Sequence, residues 1–582
     1  MLLEEKKRII KLFDFALKPL LIKTNIIPTI TLQYPRYSSH GDISCNIAMQ
    51  ISTKLKIDSY KLAKIIVKNL IQQKNYIKLI QSIEIIKPGF INLKISASIK
   101  QKTIKYILSS GVKFGQSNIG SNKKILIEFV SANPTGPLHI GHGRQCAIGD
   151  ILSSLFISQG YKVTREFYYN DTGVQITNLA LSVQVRAKAI FLGKSTWPDT
   201  IYNGEYITDI AKCFLAKEKI ISIDGSVNII ANGKINDLKS ISDFSVAYLR
   251  REQDIDLKIF GVKFDNYCLE SSLYKKGKVS LVTKLLIKSG KTYYKDGALW
   301  LRTTDYGDDK DRVIRKSNGD FTYFVSDIAY HIFKWKRGFI RAINIQGYDH
   351  QGTITRVKAG LQAINIGIPN DYPNYILHKM VTVIKNGKEV KISKRSGSYI
   401  TIRNLIQWLS QTESNNNSIE FTKNLIRGRD LMRFFLIYRK SDTDFLFDID
   451  LALKKSDENP VYYIQYAHAR IFSLLNQWGG DKKSLISIQD LSSLNTEKEL
   501  SLLIKLSNYP KVLVNSIKDL CPHYVAFYLR DLAKELHSYY NSERILVKNI
   551  TIKMARLALI YATGQVLNNG LKLIGISAPN KM

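Results

Sequence analysis

One stretch of the chain, residues 124–169, restricts the fold more than any other feature of the sequence. Lys124–Val130 has the composition of a buried strand, residues 141–159 have the pattern of a helix ended by Gly160, and Lys162–Tyr169 again has the pattern of a strand. A loop rich in proline and glycine separates the first strand from the helix. A strand, a crossover helix and a second strand make a βαβ unit with parallel strands. The sequence therefore predicts an α/β fold with a Rossmann-type parallel sheet.

The chain is too long for a single core, since 582 residues correspond to roughly three or four domains of about 150 residues. Residues 1–110 carry 19 Lys and Arg against 6 Asp and Glu, and they show both helical and strand patterns. We predict an α/β N-terminal module there, a catalytic domain at 111–455 with an insertion near 190–300, and an all-α domain at 456–582.

The charge balance favours a polyanionic partner. Lys and Arg number 85 against 49 Asp and Glu, a formal net charge of +36, and nucleic acid is the common large polyanion. The alternative is compositional drift, because the abundance of Ile, Lys and Asn is typical of an AT-biased genome.

Several classes of protein are disfavoured by what the sequence lacks. The five cysteines are isolated and form no C-x-x-C pair, so neither a disulfide framework nor a cysteine zinc site is expected. No apolar run reaches the ~20 residues needed to cross a bilayer, and the first residues, MLLEEKKRII, are not a signal peptide. We expect a cytoplasmic protein without a metal site or a tightly bound cofactor.

The loop of the βαβ unit carries the strongest chemical signal. Its sequence from residue 131 to 143 is SANPTGPLHIGHG, directly before the helix, where backbone N–H groups and the helix dipole favour phosphate. Gly136 and Gly141 allow a nucleotide to approach the backbone, and His139 and His142 lie three residues apart, in position to hydrogen-bond ATP phosphates. The alternative interpretation is a pair of histidines that only cap the helix.

A second basic loop lies about 250 residues further on, K-I-S-K-R-S-G at 391–397. Lys391 and Lys394 in a Ser- and Gly-containing loop would neutralise a triphosphate in the transition state. Considered alone, the segment is better explained as a solvated basic loop, because the chain is rich in lysine.

Longer motifs resemble one family. H-I-G-H and K-I-S-K-R resemble the two signatures of class I aminoacyl-tRNA synthetases, with Ile392 in place of Met and Arg395 in place of the last Ser. The extended loop sequence is similar to that of arginyl-tRNA synthetases, as are motifs spread over nearly the whole chain: H-G-D at 40–42, P-G-F at 88–90, Y-N-D-T-G-V-Q at 169–175, G-E-Y at 204–206, Y-F-V-S-D at 323–327, N-P-V-Y-Y-I-Q-Y-A-H-A-R at 459–470 and G-I-S-A-P at 575–579.

The resemblance implies an arginine pocket. A guanidinium is always charged, so its site needs carboxylates and an aromatic face suits it. By resemblance, Glu128 and Asp327 hold the guanidinium and Tyr323 shapes the pocket, provided that residues 318–333 are helical. Asn133 and Gln351 would fix the amino and carboxylate end. Without the family, these residues would be interpreted as a strand-end acid, a core tyrosine and loop polar groups.

The helical domain resembles an anticodon-binding domain. Tyr462, Tyr466 and Arg470 fall on one helical face, and aromatic residues interleaved with arginine stack on the bases of single-stranded RNA. Packing of a tyrosine-rich helix against its neighbours is the alternative.

The resemblance also implies the reaction. ATP, with Mg²⁺, and L-arginine would form arginyl-adenylate and pyrophosphate, and the arginine would then pass to tRNA(Arg) with release of AMP. Family members generally need bound tRNA for the first step, and they are usually monomers. Two rival classes share parts of the pattern: a nucleotidyltransferase with H-x-G-H, and an RNA-binding protein with an inactive synthetase core.

Overall fold

A computed structural model of the chain describes residues 3–22, 24–33, 35, 40–193, 202–221, 228–390, 400–411 and 419–582. The N-terminal part folds around its own apolar core, with a mixed set of helices and an antiparallel sheet in the order β1-β2-β4-β3. Its elements are α1 (Leu3–Leu21), β1 (Leu32–Gln33), β2 (Ile43–Cys45), α2 (Ile47–Leu55), α3 (Ser59–Ile71), α4 (Tyr76–Leu79), β3 (Ile80–Ile86) and β4 (Phe90–Ile95).

A single helix, α5 (Ala97–Ser110), connects this module to the rest of the chain. Ile99 near its start belongs to the core of the module, whereas Ile104, Ile107 and Leu108 belong to the large core of the following domains. The helix therefore ends at the predicted boundary after residue 110, and it is shared between two cores.

The middle of the chain forms the α/β domain. Its elements are β5 (Lys124–Glu128), α6 (Ile140–Ser158), β6 (Lys162–Tyr169), α7 (Val174–Leu192), α8 (Glu205–Leu215), β7 (Lys219–Ile221), β8 (Asn228–Ile230), α9 (Leu238–Phe260), β9 (Asn266–Leu269), α10 (Glu270–Lys275), α11 (Lys278–Lys288), β10 (Thr292–Lys295), β11 (Ala298–Leu301), β12 (Arg312–Arg315), α12 (Tyr323–Lys336), β13 (Arg341–Gly347), α13 (Gln351–Ile364), β14 (Asn374–His378), β15 (Val381–Lys385), β16 (Lys388–Glu389), α14 (Ile402–Ser410), α15 (Ile419–Ile437), β17 (Phe445–Asp448) and α16 (Ile449–Leu453).

The central sheet has the order β14-β13-β5-β6-β9, and every neighbouring pair is parallel. The chain moves from β5 to β6 on one side and later returns to β13 on the other side of β5. This reversal of strand order opens a crevice at the carboxyl ends of β5 and β13, where parallel α/β sheets bind their ligands. The predicted Rossmann-type sheet is confirmed.

Two further cores flank the sheet. Helices α7, α8 and α9 with the β7–β8 hairpin enclose one core. Its residues run from Leu179, before the insertion predicted near 190–300, to Leu249 within that insertion. Residues from Leu273 to Tyr372 form another core, which includes α12 and α13.

The C-terminal part is helical, as predicted: α17 (Pro460–Trp478), α18 (Lys482–Ile486), α19 (Glu497–Ser507), α20 (Tyr509–Lys518), α21 (His523–Ser542) and α22 (Ile550–Leu573). Its core is continuous with that of the α/β domain. The last residues join the two, since Asp430 of α15 accepts the backbone N–H of Ser577 at 2.8 Å and Gln465 of α17 donates to the Ser577 carbonyl at 3.0 Å.

Candidate active site

The carboxyl end of β5 begins the site. The strand ends at Glu128, two residues earlier than predicted, because Val130 and Ser131 adopt left-handed conformations with φ of 68° and 41°. Ser131 Oγ donates to Glu128 Oε1 at 3.1 Å and accepts the Tyr168 N–H at 3.1 Å. Non-glycine residues in this region are strained and concentrate at functional sites. The bend turns the chain out of the sheet and towards α6.

His139 and His142 form the start of α6. His139 is the N-cap, its Nδ1 accepts the Gly141 N–H at 3.1 Å, and His142 Nδ1 accepts the His139 N–H at 3.2 Å. The two ring centroids are 3.9 Å apart. Because each Nδ1 acts as an acceptor, each neutral ring carries its proton on Nε2. The two histidines therefore do cap the helix. The same geometry also makes the Nε2–H group of each histidine a donor.

Helix α9 supports the loop before these histidines. Gln253 is buried, and its Nε2 donates to the carbonyls of Asn133 and Gly136 at 3.2 and 2.9 Å, while Tyr206 Oη donates to the Thr135 carbonyl at 2.8 Å. The residues near the start of α14 lie against the same loop. Thr401 forms a bridge with His139, and the Ile402 N–H donates to the Leu138 carbonyl at 2.9 Å.

Lys391 and Lys394, the predicted phosphate-binding lysines, lie outside the described residues. The described residues on either side are Val390, whose N–H donates to the Val383 carbonyl at 2.9 Å, and Ile400, next to the bridge with His139. The first signature is therefore bridged at His139 to Thr401, which follows residues 391–399 in the chain.

Glu128 lies under the site in a buried ion pair. Lys334 of α12 is fully buried, donates to Glu128 Oε2 and also donates to Asn344 Oδ1 at 3.1 Å. A buried carboxylate with such a partner is already neutralised. Glu128 is thus at the position that the sequence predicted, but its charge is compensated from within the protein.

Asp327 and Glu270 supply the acidic character of the crevice. Burial, followed by the charges of Glu270 and Glu128, raises the pKa of Asp327 to about 7. Burial and the charge of Asp171 raise the pKa of Glu270 to about 7, although a hydrogen bond from Ser326 at 3.0 Å opposes this rise. Glu270 Oε2 accepts no hydrogen bond from the described residues. The two carboxyl groups therefore favour a cation, which would stabilise their ionised forms.

Glu270 is absent from the sequence prediction. It is the first residue of α10, directly after β9, and the carboxyl end of a parallel strand is where functional side chains concentrate. A carboxylate directly after a strand in the βα pattern is therefore the sequence signal that could have indicated Glu270.

The remaining predicted residues, Tyr323, Asn133 and Gln351, lie at the start of α12, in the loop after β5 and at the start of α13. Tyr323 is the first residue of α12, one turn before Asp327, and a Cβ at Gly173 would collide with its hydroxyl group. Helix α12 begins at Tyr323 rather than at 318, because the preceding residues form a turn at Gly319 with φ of 90°. Asn133 donates from Nδ2 to Gln175 Oε1 at 2.7 Å, and Gln351 is exposed at the start of α13.

Three comparisons with known proteins agree with this geometry. The family models "Arginyl tRNA synthetase N terminal domain", "tRNA synthetases class I (R), catalytic domain" and "DALR anticodon binding domain" match residues 7–95, 103–424 and 464–582. Arginine–tRNA ligase from Herminiimonas arsenicoxydans is 58% identical over 584 positions that cover 100% of both chains, and that from Burkholderia mallei is 54% identical over 96% of this chain and 95% of its own. The chain belongs to the arginyl-tRNA synthetase family.

Solved arginyl-tRNA synthetase structures share the fold. That of Thermus thermophilus has a TM-score of 0.74 at 18% identity and covers 99% of this chain and 100% of its own. That of Plasmodium falciparum has a TM-score of 0.75 at 17% identity and covers 99% of each chain. Membership of the arginyl-tRNA synthetase family sets aside the nucleotidyltransferase alternative, because the N-terminal and anticodon-binding domains both match.

The predicted RNA-contacting residues of this arginyl-tRNA synthetase lie on α17. The rings of Tyr462 and Tyr466 are nearly parallel, with 6.0 Å between centroids, and Tyr466 is 41% exposed. Arg470 lies 3.7 Å over the ring of Tyr540, and His537 stacks on Tyr466 at 5.8 Å. Tyr540 and His537, which pack against these predicted residues, come from α21, and the spacing along α17 gives no signal for them.

His468, in contrast, lies away from this surface. It is buried, and its Nδ1 is 2.8 Å from the Pro579 carbonyl.

Among the helices that the structure describes, none is long and apolar enough to traverse a membrane.

Proposed function

We propose that this arginine–tRNA ligase forms arginyl-adenylate in the crevice between β5 and β13. The carboxylate oxygen of arginine attacks the α-phosphorus of ATP, the bond to the β-phosphate breaks, and pyrophosphate leaves. A hydroxyl of the terminal ribose of tRNA(Arg) then attacks the carbonyl carbon and releases AMP. The observation that supports arginine most strongly is the acidic pair Asp327 and Glu270, because two carboxyl groups of raised pKa favour a cationic ligand.

ATP binding falls to the loop and the start of α6. Gly136 and Gly141 permit close approach of the nucleotide, and the Nε2–H groups of His139 and His142 donate to the phosphates. Their contribution is electrostatic, since donors fixed by the capping hydrogen bonds need no reorganisation when charge develops. Lys391 and Lys394 are assigned to the triphosphate on sequence grounds.

Arginine binds at the acidic pair Asp327 and Glu270. Asp327 receives the guanidinium, Glu270 adds a second negative charge, and Tyr323 forms a wall of the pocket. Glu128, which the family resemblance pairs with Asp327, contributes less because Lys334 already neutralises it. Asn133 and Gln351 are assigned to the amino and carboxylate end of the substrate.

Binding of tRNA involves both ends of the chain. The stacked rings of Tyr462 and Tyr466, with Arg470 beside them, offer a platform for bases of the anticodon loop. The basic N-terminal module is assigned to a more distant part of the tRNA. Since α5 is shared between two cores, we place the limits of the modules at 1–96, 97–455 and 456–582.

The remaining properties follow the family. MgATP is the expected nucleotide substrate, with the ion carried on the phosphates, and we expect a cytoplasmic monomer without a tightly bound cofactor. Sedimentation of the free enzyme and of its tRNA complex checks the stoichiometry.

Pyrophosphate exchange with each amino acid in turn tests the whole assignment. We expect exchange with arginine alone, and only when tRNA is present. An enzyme that binds tRNA but exchanges with no amino acid would instead have an inactive core. Exchange with lysine equal to that with arginine would refute the proposed pocket, because a compact ammonium does not need a planar arrangement of acceptors.

A further inference from the structure

Gln253 of α9 is fully buried against the loop that leads to His139. Its Nε2 donates to the Asn133 carbonyl at 3.2 Å and to the Gly136 carbonyl at 2.9 Å. Its Oε1 is buried as well, and within the part of the chain that the structure describes it accepts no hydrogen bond. A buried acceptor without a partner is unfavourable, so the pair of amide N–H donors is what this side chain contributes.

Both of these carbonyls belong to peptide groups that precede proline. Asn133 is followed by Pro134, and Gly136 is followed by Pro137. Because proline has no N–H group, each of these two peptide groups carries an acceptor and no donor. The fixed φ of proline also makes both corners of the loop stiff. The single amide of Gln253 therefore ties two stiff corners of the loop to one point of α9.

Helix α9 is itself anchored on both sides of Gln253. Arg403 of α14 donates to Glu252 Oε2 at 3.1 Å and to Asp256 Oδ1 at 2.8 Å. Asp256 is buried, so loss of this partner would leave an uncompensated charge inside the protein. Because the two acids flank Gln253 in the helix, rotation or translation of α9 at this position would break both ion pairs.

The histidine end of the loop is held by the same helix α14. The Ile402 N–H donates to the Leu138 carbonyl at 2.9 Å, and α6 begins directly afterwards with His139 as its N-cap. Residues 133–138 are thus held near their start by Gln253 and at their end by α14. Donors that are fixed before the substrate binds need no reorganisation, and a displacement of about 1 Å can cost about 100-fold in rate.

We propose that Gln253 is a positioning residue for the adenylation step. Its amide fixes the loop backbone so that the Nε2–H groups of His139 and His142 meet the phosphates of ATP in one geometry. Because Gln253 is fully buried, it acts through the loop and not by contact with a substrate. This positioning role depends on the phosphate role that the proposed function gives to the two histidines.

Pyrophosphate exchange with two substitutions of Gln253 tests this role. Gln253→Met keeps the length of the side chain but removes both donors. With saturating arginine and tRNA, we expect it to lower kcat/KM for ATP at least ~10-fold at pH 6 and at pH 8, because the loop is no longer tied to α9. The KM for arginine should change less than about twofold, since both hydrogen bonds of Gln253 go to the ATP loop.

Gln253→Glu tests the donor itself. An ionised carboxylate would face two carbonyl oxygens in a buried position, so the acid form, which restores one donor hydrogen, is favoured as the pH falls. At pH 6 we therefore expect Gln253→Glu to give a kcat/KM for ATP at least about threefold above that of Gln253→Met. Equal values for the two variants at pH 6 would overturn the proposal, because a role in packing alone does not depend on a donor.

Gln159→Met is the matched control. Gln159 is the C-cap of α6, at the opposite end of that helix from His139. It is also fully buried, and its Nε2 donates to the Gly115 carbonyl at 3.1 Å. Its substitution should change kcat/KM for ATP less than about twofold, even where the melting temperature falls. A loss in this control equal to that of Gln253→Met would show a general structural effect and would overturn the proposal.

Two further variants cover the remaining outcomes. If Gln253→Met does not fold, Gln253→Asn keeps the amide but is too short to reach both carbonyls, and kcat/KM for ATP should fall at least about threefold. A wild-type value for that variant would overturn the proposal. If His142→Ala slows exchange while the Gln253 variants match the control, only the role of Gln253 is overturned. If His142→Ala exchanges at the wild-type rate, the phosphate role of the histidines fails and the role of Gln253 with it.

Discussion

Arginine affinity should depend steeply on pH between 6 and 8. Asp327 and Glu270 have raised pKa values of about 7 in the free enzyme, whereas a bound guanidinium requires them ionised. A group with a pKa of 7 is about 10% ionised at pH 6 and about 90% at pH 8, so each contributes up to about tenfold in affinity. Because the charge of Glu270 raises the pKa of Asp327, the two titrate together. We expect arginine to bind between about 10 and 100 times more tightly at pH 8.

Calorimetry in two buffers with different ionisation heats measures this directly. Arginine binding at pH 7 should release about one proton, since each carboxyl group is about half protonated there.

The raised pKa values also determine how the stability of the free enzyme depends on pH. The pKa values of the folded enzyme lie above those of the unfolded chain, so the stabilising contribution of both groups is lost as pH rises through 7. Because arginine binds more tightly at pH 8, it should raise the melting temperature more at pH 8 than at pH 6.

Glu270→Gln is the matched control for this experiment. It removes one titrating group, so the affinity should fall at pH 8 and the slope between pH 6 and 8 should flatten. Titration of the ligand itself would leave the slope of this variant unchanged. An affinity for arginine that is equal at pH 6 and pH 8, with no proton release, would refute the reasoning.

Three more changes test other parts of the site. His142→Ala should lower the adenylation rate by roughly 10- to 1,000-fold with little change in ATP binding. His142→Asn tests whether loss of the cap alone is responsible. A folded His142→Ala enzyme with normal exchange would rule out the phosphate role. Asp327→Asn should raise the KM for arginine at least ~10-fold, and an unchanged KM would mean that another carboxylate binds the guanidinium. Deletion of residues 1–95, which leaves α5 intact, should weaken tRNA binding and flatten its salt dependence, while ATP binding persists; an unaltered salt slope would show that the module makes no phosphate contacts.

Elements with local signals were predictable from the sequence. Lys162–Tyr169 is a strand at the predicted bounds, because its strand pattern lies within the segment itself. The helix after the phosphate loop also matches, since glycine at 160 fixes its end with φ of 80°. The parallel sheet followed from these elements through the handedness of the connection.

Pairing between distant residues was not predictable. Nothing near Glu128 in the sequence indicates that Lys334 neutralises it, and nothing near Asp327 indicates that Glu270 raises its pKa. Local periodicity specifies which face of an element a residue occupies, but the charge on the opposite face depends on the tertiary arrangement. We therefore propose Glu270 rather than Glu128 as the acid that accompanies Asp327 at the guanidinium.

Helix α5 fixes the position of the N-terminal module relative to the C-terminal domain. Gln101 donates to the Leu494 carbonyl at 3.0 Å and Lys105 to the Gln489 carbonyl at 2.8 Å, so the helix is clamped on the C-terminal domain. One residue inserted into its 14 would rotate the whole module by about 100° and shift it by about 1.5 Å. With the module on the tRNA, as we propose, the helix fixes the distance between two tRNA contacts. We therefore expect a tRNA with the correct anticodon but an arm of the wrong length to be a poor substrate.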